Sequence, residues 1–555
     1  MTATTVAELP TRNPRGDRAA QSRWWLRFVT AMTVVFILRG WIFLCVFPPI
    51  EGWDEYSHLA YLAYYTEHGT PPVYFKSSVP LTLRPLLLSV PHSHWALKHL
   101  RPWGARHYTE FWSNAVPAAV STPLPAINLY ESMHPPLYYR LVKPFWQVLS
   151  PQHPLGAIYL LRMINILWAG LALWVFGLML GRLVPDRLTC CLMVLVTFFQ
   201  PLYLINAARI ANDALAILLG MCALACIMLH RRERLVLHAG LAGACVALAV
   251  LVKQTMLTLL PVLPAAYCAY AWQYRLRWGT FVRGALAGVL VFGAVFGVSA
   301  LCNPPGQRAL ASTQEVLMLR QRGTMARDVW QAVRTINWAG EFRTLVYPGP
   351  AWVGGWSALR PPRWLRETHQ FLMRCAAFAL LLGLALYAWR VWRGAPSGQR
   401  LLFASWTTPL VFGLTALFLA AGLLFHAALI KATWKIAASN AWYFMFAMPM
   451  FLVLLLQCVA LLSRRLMLVY AGLIWLNFYC TELVGIFWKM APFYTASRAP
   501  QIILTRLAHL HPAGFQPLVI VPLALLIVIL LSGCLRAMWR LARAPAKERC
   551  HAPDG

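Results

Sequence analysis

Long apolar runs decide what this chain can fold into. "VLVFGAVFGVSAL", "AAFALLLGLALYAW", "PLVFGLTALFLAAGLLF", "MFAMPMFLVLLLQCVALL" and "PLALLIVILLSGCL" recur along the sequence. Each is the centre of a segment close to the ~20 residues that cross a bilayer as a helix. A β-barrel would instead show short segments of alternating hydrophobicity. Hydrophobic residues make up 59% of the chain and charged residues 12%, with a mean hydropathy of +0.57. A soluble protein would carry about 25% charged residues. The expected fold class is an all-α polytopic membrane protein.

The formal net charge of +31 raises nucleic acid as a partner, but the cations are distributed otherwise. "GRLVPDR", "HRRER", "QYRLRWGTFVR", "WRVWRGAPSGQR", "SRR" and "RAMWRLARAPAKER" are short connectors between apolar runs. Positive-inside bias places such connectors in the cytoplasm if there are about twelve spans. No nucleic-acid partner is expected. The basic tails 1–27 and 536–555 are then cytoplasmic, flanking a transmembrane domain over 28–535. Long loops at about 48–155 and 302–367 fall on the opposite side, with shorter ones near 427–440 and 488–514. The first loop far exceeds the usual connection of ~4–6 residues, and loops that long are usually functional. "FVTAMTVVFILRGWIFLCVF" reads as a retained first helix, because no small-residue cleavage site follows it. The 13 Cys lie mostly inside apolar runs and form no zinc-like pair, so neither a metal cluster nor a disulfide framework is expected of them. The composition suggests a bacterial inner membrane, with the long loops facing the periplasm. The second loop is rich in Arg and poor in acid. It is either tolerated as a long loop or a surface for anionic ligands and headgroups.

Acid is scarce, with 18 Asp and Glu in 555 residues, yet Glu51, Asp54, Glu55 and Glu67 cluster just past the first span. The stretch "WDEYSHLAYLAYYTEHGTPP" resembles the acidic first-loop motif of the GT-C glycosyltransferases. "MHPPLYYRL" is similar to their His-Pro-Pro-Leu-Tyr-Tyr motif, and "LLRMINIL" to their second-span pattern. "ARIANDALA" resembles the Asn-Asp turn between their third and fourth spans, and "ALAVLVKQTMLTLLP" the span-Lys-span hairpin. The five occur in the family's order and cover the first half of the chain well, the second half loosely. The pattern is most like the protein mannosyltransferase and aminoarabinose transferase branch. Two features depart from it. "SNAWYFMFAMP" stands where relatives carry Gly-Arg-Tyr, with Trp442 in place of Arg. No large soluble domain is expected after the last span, and so no counterpart of the acceptor-recognition module of oligosaccharyltransferases.

The resemblance implies a GT-C-like bundle whose first outer loop contains juxtamembrane helices. It also implies inverting transfer of a hexosyl or pentosyl group from a polyprenyl-phosphate donor to a lipid, glycan or protein acceptor. Such a reaction needs a carboxylate to take the acceptor's proton and cations to stabilise the leaving phosphate. Asp54 is the preferred base, or else only the N-cap of the helix that follows. Glu55 points about 100° away on a helix and binds the acceptor or supports a cation. His58, at i+4 from Asp54, shares its face. His134 donates to a phosphate or carboxylate, or orients its loop. Tyr138 and Tyr139 read as interfacial aromatics, with Tyr138 also a candidate substrate contact. Arg140, Arg209, Lys253 and Arg343 are candidates for the phosphate, with snorkelling as the alternative. Asp213 is a candidate substrate contact, or else pairs with Arg209 at i+4 and removes both from the chemistry; Arg39 and Arg162 are placed to form structural pairs. His92, His94, His99 and His107 match no zinc signature, so no metal or other cofactor is expected, although some GT-C enzymes use a divalent ion. Two other readings stay open: a transporter or flippase of lipid-linked sugars, and a non-catalytic membrane subunit. A transporter would show a repeat between its halves, and none is visible.

Overall fold

The computed structural model describes residues 14–73, 76–115, 120, 122–229, 234–302, 314–341, 354–393, 403, 405–435 and 441–543. Among these residues the protein is helical, and its only β features are two isolated bridges. The principal helices are α1 (Pro14–Leu44), α2 (Glu55–His68), α3 (Leu137–Leu149), α4 (Pro154–Leu183), α5 (Arg187–Phe198) and α6 (Pro201–Ala207). They continue with α7 (Asp213–Met228), α8 (Leu235–Val252), α9 (Leu259–Gln273), α10 (Trp278–Cys302), α11 (Gln314–Gln321) and α12 (Met325–Thr335). The last are α13 (Arg363–Trp392), α14 (Thr407–Trp434), α15 (Met448–Leu462), α16 (Arg464–Val484), α17 (Pro500–Leu510) and α18 (Ile520–Arg543).

Among the described residues eight helices are long and apolar enough to cross a membrane, or nine if α5 and α6, bent by 52°, form one span. Asp213–Met228 and Met448–Leu462 are apolar but shorter. Length and apolarity alone thus fall short of the expected count of about twelve. The α5–α6 bend lies at Pro201, which lacks the N–H that would continue α5. The Gln200 side chain accepts from the Tyr203 N–H and restarts the helix.

The first helix lies within the bundle, packing on α4 and α18. Arg39 in its midst pairs with the buried Glu482, as expected of a charge inside a span. The helices α8 and α10 pack closely through Gly243 and Gly288, because a Cβ on Gly243 would collide with the Gly288 carbonyl. On its other side α10 exposes Val289, Leu290, Val298 and Leu301, a face suited to lipid. Two of the basic connectors meet at one end of the bundle, where Arg464 donates to Asp186 at 2.6 Å. Asp186 also caps α5 by accepting from the Thr189 N–H at 2.8 Å.

At the other end the first loop folds as short helical turns over α2. The buried Glu51 joins it to the second loop. Its carboxylate accepts from Tyr108 at 2.9 Å and from the Ser357 N–H at 2.5 Å, and its carbonyl accepts from the Trp356 N–H. Ser357 in turn meets the Tyr494 hydroxyl at 3.0 Å. Burial pushes the Glu51 carboxyl up to about 7, against the pull of these donors. Between the ordinary value and about 7 the folded chain holds a proton that the unfolded chain releases. Stability therefore falls as pH rises through that window. Glu51→Gln keeps an acceptor for Ser357 and cannot ionise. Its thermal midpoint should lie above that of the wild type at pH 8 and level with it at pH 5. A midpoint lowered equally at both would contradict this account.

Candidate functional site

The site begins where α1 ends. Arg162, fully buried in α4, donates to the Phe47 carbonyl at 3.0 Å, to the Pro48 carbonyl at 2.7 Å and to both Glu55 oxygens at 2.7 and 2.5 Å. Glu55 also accepts from the Gly52 N–H at 3.0 Å and the Ile210 N–H at 2.9 Å. Every lone pair of that carboxylate faces a fixed donor, and the residue is fully buried. Of the two roles expected of Glu55, acceptor contact and support of a cation, the second is the one seen: it is the partner of Arg162. Gly52 is required here, because a Cβ would press on the Arg209 side chain.

The same turn sends Asp54 the other way. Its backbone is left-handed, at φ 60° and ψ 5°, a region that Asp tolerates better than most residues. Ile50, a β-branched residue, also sits at φ 66°, so the turn holds strain that the Glu51 and Glu55 bonds must maintain. Asp54 is the residue before α2, but its side chain caps nothing. The carboxylate accepts instead from the Tyr130 hydroxyl at 2.8 Å and faces a cavity. Burial raises its pKa to about 6, helped by the negative charge of Glu131 and opposed by Arg209, the Tyr130 bond and Lys253.

His58 lies one turn further along α2 in the same cavity, its Nδ1 2.7 Å from the Tyr139 hydroxyl. Glu131 faces it, at 3.7 Å from His58 Nε2 and 2.7 Å from His134 Nε2. The two imidazoles stack with centroids 6.0 Å apart. Burial pushes the His58 imidazole down to about 3, more strongly than Glu131 pulls it up. Burial also raises Glu131, but the His134 contact and Lys253 reverse this and hold it low; His58, kept neutral by burial, adds its charge only in strong acid. The cavity thus contains two carboxyls tuned in opposite directions, Asp54 raised and Glu131 lowered.

The cations stand opposite. Arg209 donates to Asp213 at 2.7 Å, to Asn206 at 2.8 and 3.1 Å, and to the Trp53 carbonyl. Lys253 donates to the other Asp213 oxygen at 2.6 Å. One buried carboxylate therefore anchors both cations, and both still line the cavity. Lys253 sits in the extended break between α8 and the turn Gln254–Thr258, at the end of a span. The lining also includes Thr255, His426, Tyr443 and the apolar Leu419, Leu423 and Ile430, and encloses about 370 Å³. One wall is charged and the other, supplied largely by α14, is apolar.

The remaining candidates lie elsewhere. Tyr138 and Tyr139 are fully buried, not interfacial. Tyr138 faces Asn165, and Tyr139 stacks on Tyr61 at 3.5 Å. Arg140 donates to Tyr65 at 3.2 Å and borders a separate apolar crevice of about 400 Å³ between α8 and α10. That crevice begins at Pro135, next to His134. Arg343 lies outside the described residues. His94 and His107 stack at 4.4 Å, and no group of three His, Cys, Asp or Glu among the described residues has metal-holding spacing. Sequence reasoning missed Glu131, Tyr130, His426 and Tyr443. For Tyr130 and Glu131 the nearest signal was their position beside "MHPPLYY", and for Tyr443 its place in the altered Gly-Arg-Tyr segment; His426, inside an apolar run, had none.

The two neighbouring acids should behave oppositely in unfolding experiments. Glu55→Gln leaves Arg162 buried without its counter-charge and should cost on the order of 3–5 kcal/mol. Asp54→Asn removes a carboxylate facing a cavity and should cost less than about 1 kcal/mol. The reverse order, measured in detergent, would contradict these assignments.

No protein-family model matches this sequence, and neither does any curated protein. Among solved structures the chain is similar to ArnT from Cupriavidus metallidurans bound to undecaprenyl phosphate. The identity is 13% and the TM-score 0.32, over 89% of this chain and 90% of that one. It is also similar to the Archaeoglobus fulgidus oligosaccharyltransferase tethered with an acceptor peptide. There the identity is 14% and the TM-score 0.31, over 81% of this chain and 56% of that one.

Proposed function

We propose that this protein is a glycosyltransferase that moves a sugar from a polyprenyl-phosphate donor to an acceptor, with inversion, on the periplasmic face of a bacterial inner membrane. The observation that carries the proposal is the Asp54 carboxylate, which caps no helix and faces a cavity with one charged and one apolar wall. The motif resemblance of the first half of the chain supports the same reading.

Asp54 takes the proton of the acceptor as its oxygen or nitrogen attacks the anomeric carbon. The bond from that carbon to the phosphate oxygen breaks, and the polyprenyl phosphate leaves with one more negative charge. Arg209 and Lys253 oppose that charge from positions fixed by Asp213. Glu131 keeps His134 in place, with its ring bordering the cavity to hydrogen-bond the donor. The isoprenoid chain lies in the apolar crevice beside Pro135, with Arg140 at its rim. The cations meet the charge of the leaving group, so transfer persists in the presence of a chelator.

The test is reconstitution with labelled polyprenyl-phosphate sugars, following label onto membrane extracts. Asp54→Asn should lower the rate roughly 10²–10⁴-fold. The wild-type rate should fall below about pH 6 as Asp54 takes up its proton. Undiminished transfer by Asp54→Asn would remove Asp54 as the base. Label entering vesicles without a glycosidic product would favour a transporter.

A further inference from the structure

The second loop carries a surface that the transfer chemistry does not use. Between Leu319 and Ile336 the sequence has four arginines, Arg320, Arg322, Arg327 and Arg334, and one acid, Asp328. Asp328 is occupied locally, accepting from the Thr324 hydroxyl at 2.5 Å and Arg327 Nε at 3.5 Å. In α12, Arg327, Trp330 and Arg334 follow at i, i+3 and i+7 and so share one face. All three are exposed, Trp330 by 59%, and the Arg334 guanidinium lies 5.3 Å above the Trp330 ring. The opposite face is apolar. Leu319 and Ala332 are buried against Leu429 and Ala432 in the last turns of α14.

That packing fixes the depth of the surface. Helix α14 is a candidate span, and its last residue Trp434 is 47% exposed. Tryptophans at the end of a span belong at the level of lipid headgroups. An exposed Trp330 flanked by arginines is poorly suited to bulk water and well suited to that layer. We infer that the α12 face carrying Arg327, Trp330 and Arg334, together with the exposed Arg320 and Arg322 just before it, binds the headgroups of anionic phospholipid at the site end of the spans. The occupant is chosen by charge: cations dominate, and phosphate oxygens match the guanidinium forks. His426 and Ile430 of α14 line the cavity near the turns that α12 packs upon, so the bound leaflet borders the cavity.

The full-length protein would be reconstituted in bilayers holding a photoactivatable phosphatidylglycerol or its phosphatidylcholine counterpart, and the cross-links mapped by peptide. Phosphatidylglycerol should label 320–335 in preference by roughly fivefold or more, and added salt should erode that preference. The variant R320Q/R322Q/R327Q/R334Q should lose the preference, while the corresponding lysine variant keeps most of it. Labelling of the spans, unchanged in both, shows that they fold. Equal labelling by the two lipids would overturn the inference. So would undiminished preference in the glutamine variant, or protection of the segment by soluble polyglutamate but not by lipid.

Discussion

Arg162 is a charge buried in a span, and a charge there must be fully compensated. It finds that compensation in the turn after the first span, through the carbonyls of Phe47 and Pro48 and the carboxylate of Glu55. Glu55 extends the same network to Ile210, just past Arg209. One ion pair thus ties the end of α1 to α4 and to the turn before α7. The left-handed conformation of Asp54 depends on it, because Gly52 and Glu55 on either side cannot move. With Glu55 held in the bundle, its neighbour is turned outward into the cavity.

The electrostatics of the cavity follow from that placement. Asp54 and Glu131 are like charges lining one cavity, so both ionise only if other charges allow it. The His134 contact and Lys253 favour ionised Glu131, and Asp54 carries the penalty. Asp213 accepts from both Arg209 and Lys253 and spreads its charge over two cations. Each cation therefore keeps part of its field for an incoming phosphate.

The membrane class was legible because apolar runs of span length have no soluble equivalent. Lys253, Arg209 and Asp213 were legible because ionised groups beside such runs are costly and stand out. The i+4 spacing also named the Arg209–Asp213 pair and placed His58 on the face of Asp54. Glu131 was not legible: an acid in a polar loop has no cost to signal, and its partners come together only in three dimensions. Sequence preferred Asp54 to Glu55 by resemblance alone, because adjacent carboxylates differ here through one φ angle and one distant arginine. The apolar wall from α14 was hidden for a similar reason, since every span is apolar on some face.

The central claim is that Asp54 is the carboxyl of the cavity that changes protonation near neutrality, while Glu131 stays ionised. Infrared titration of the reconstituted protein tests it directly, in a Glu51→Gln background that removes the other carboxyl titrating in this range. The account predicts a protonated carboxylic band that disappears as pH rises through about 6. The band should be absent in Asp54→Asn and shifted to lower pH in Glu131→Gln, where the repelling charge is gone. A band that survives Asp54→Asn and vanishes in Glu131→Gln would contradict the account.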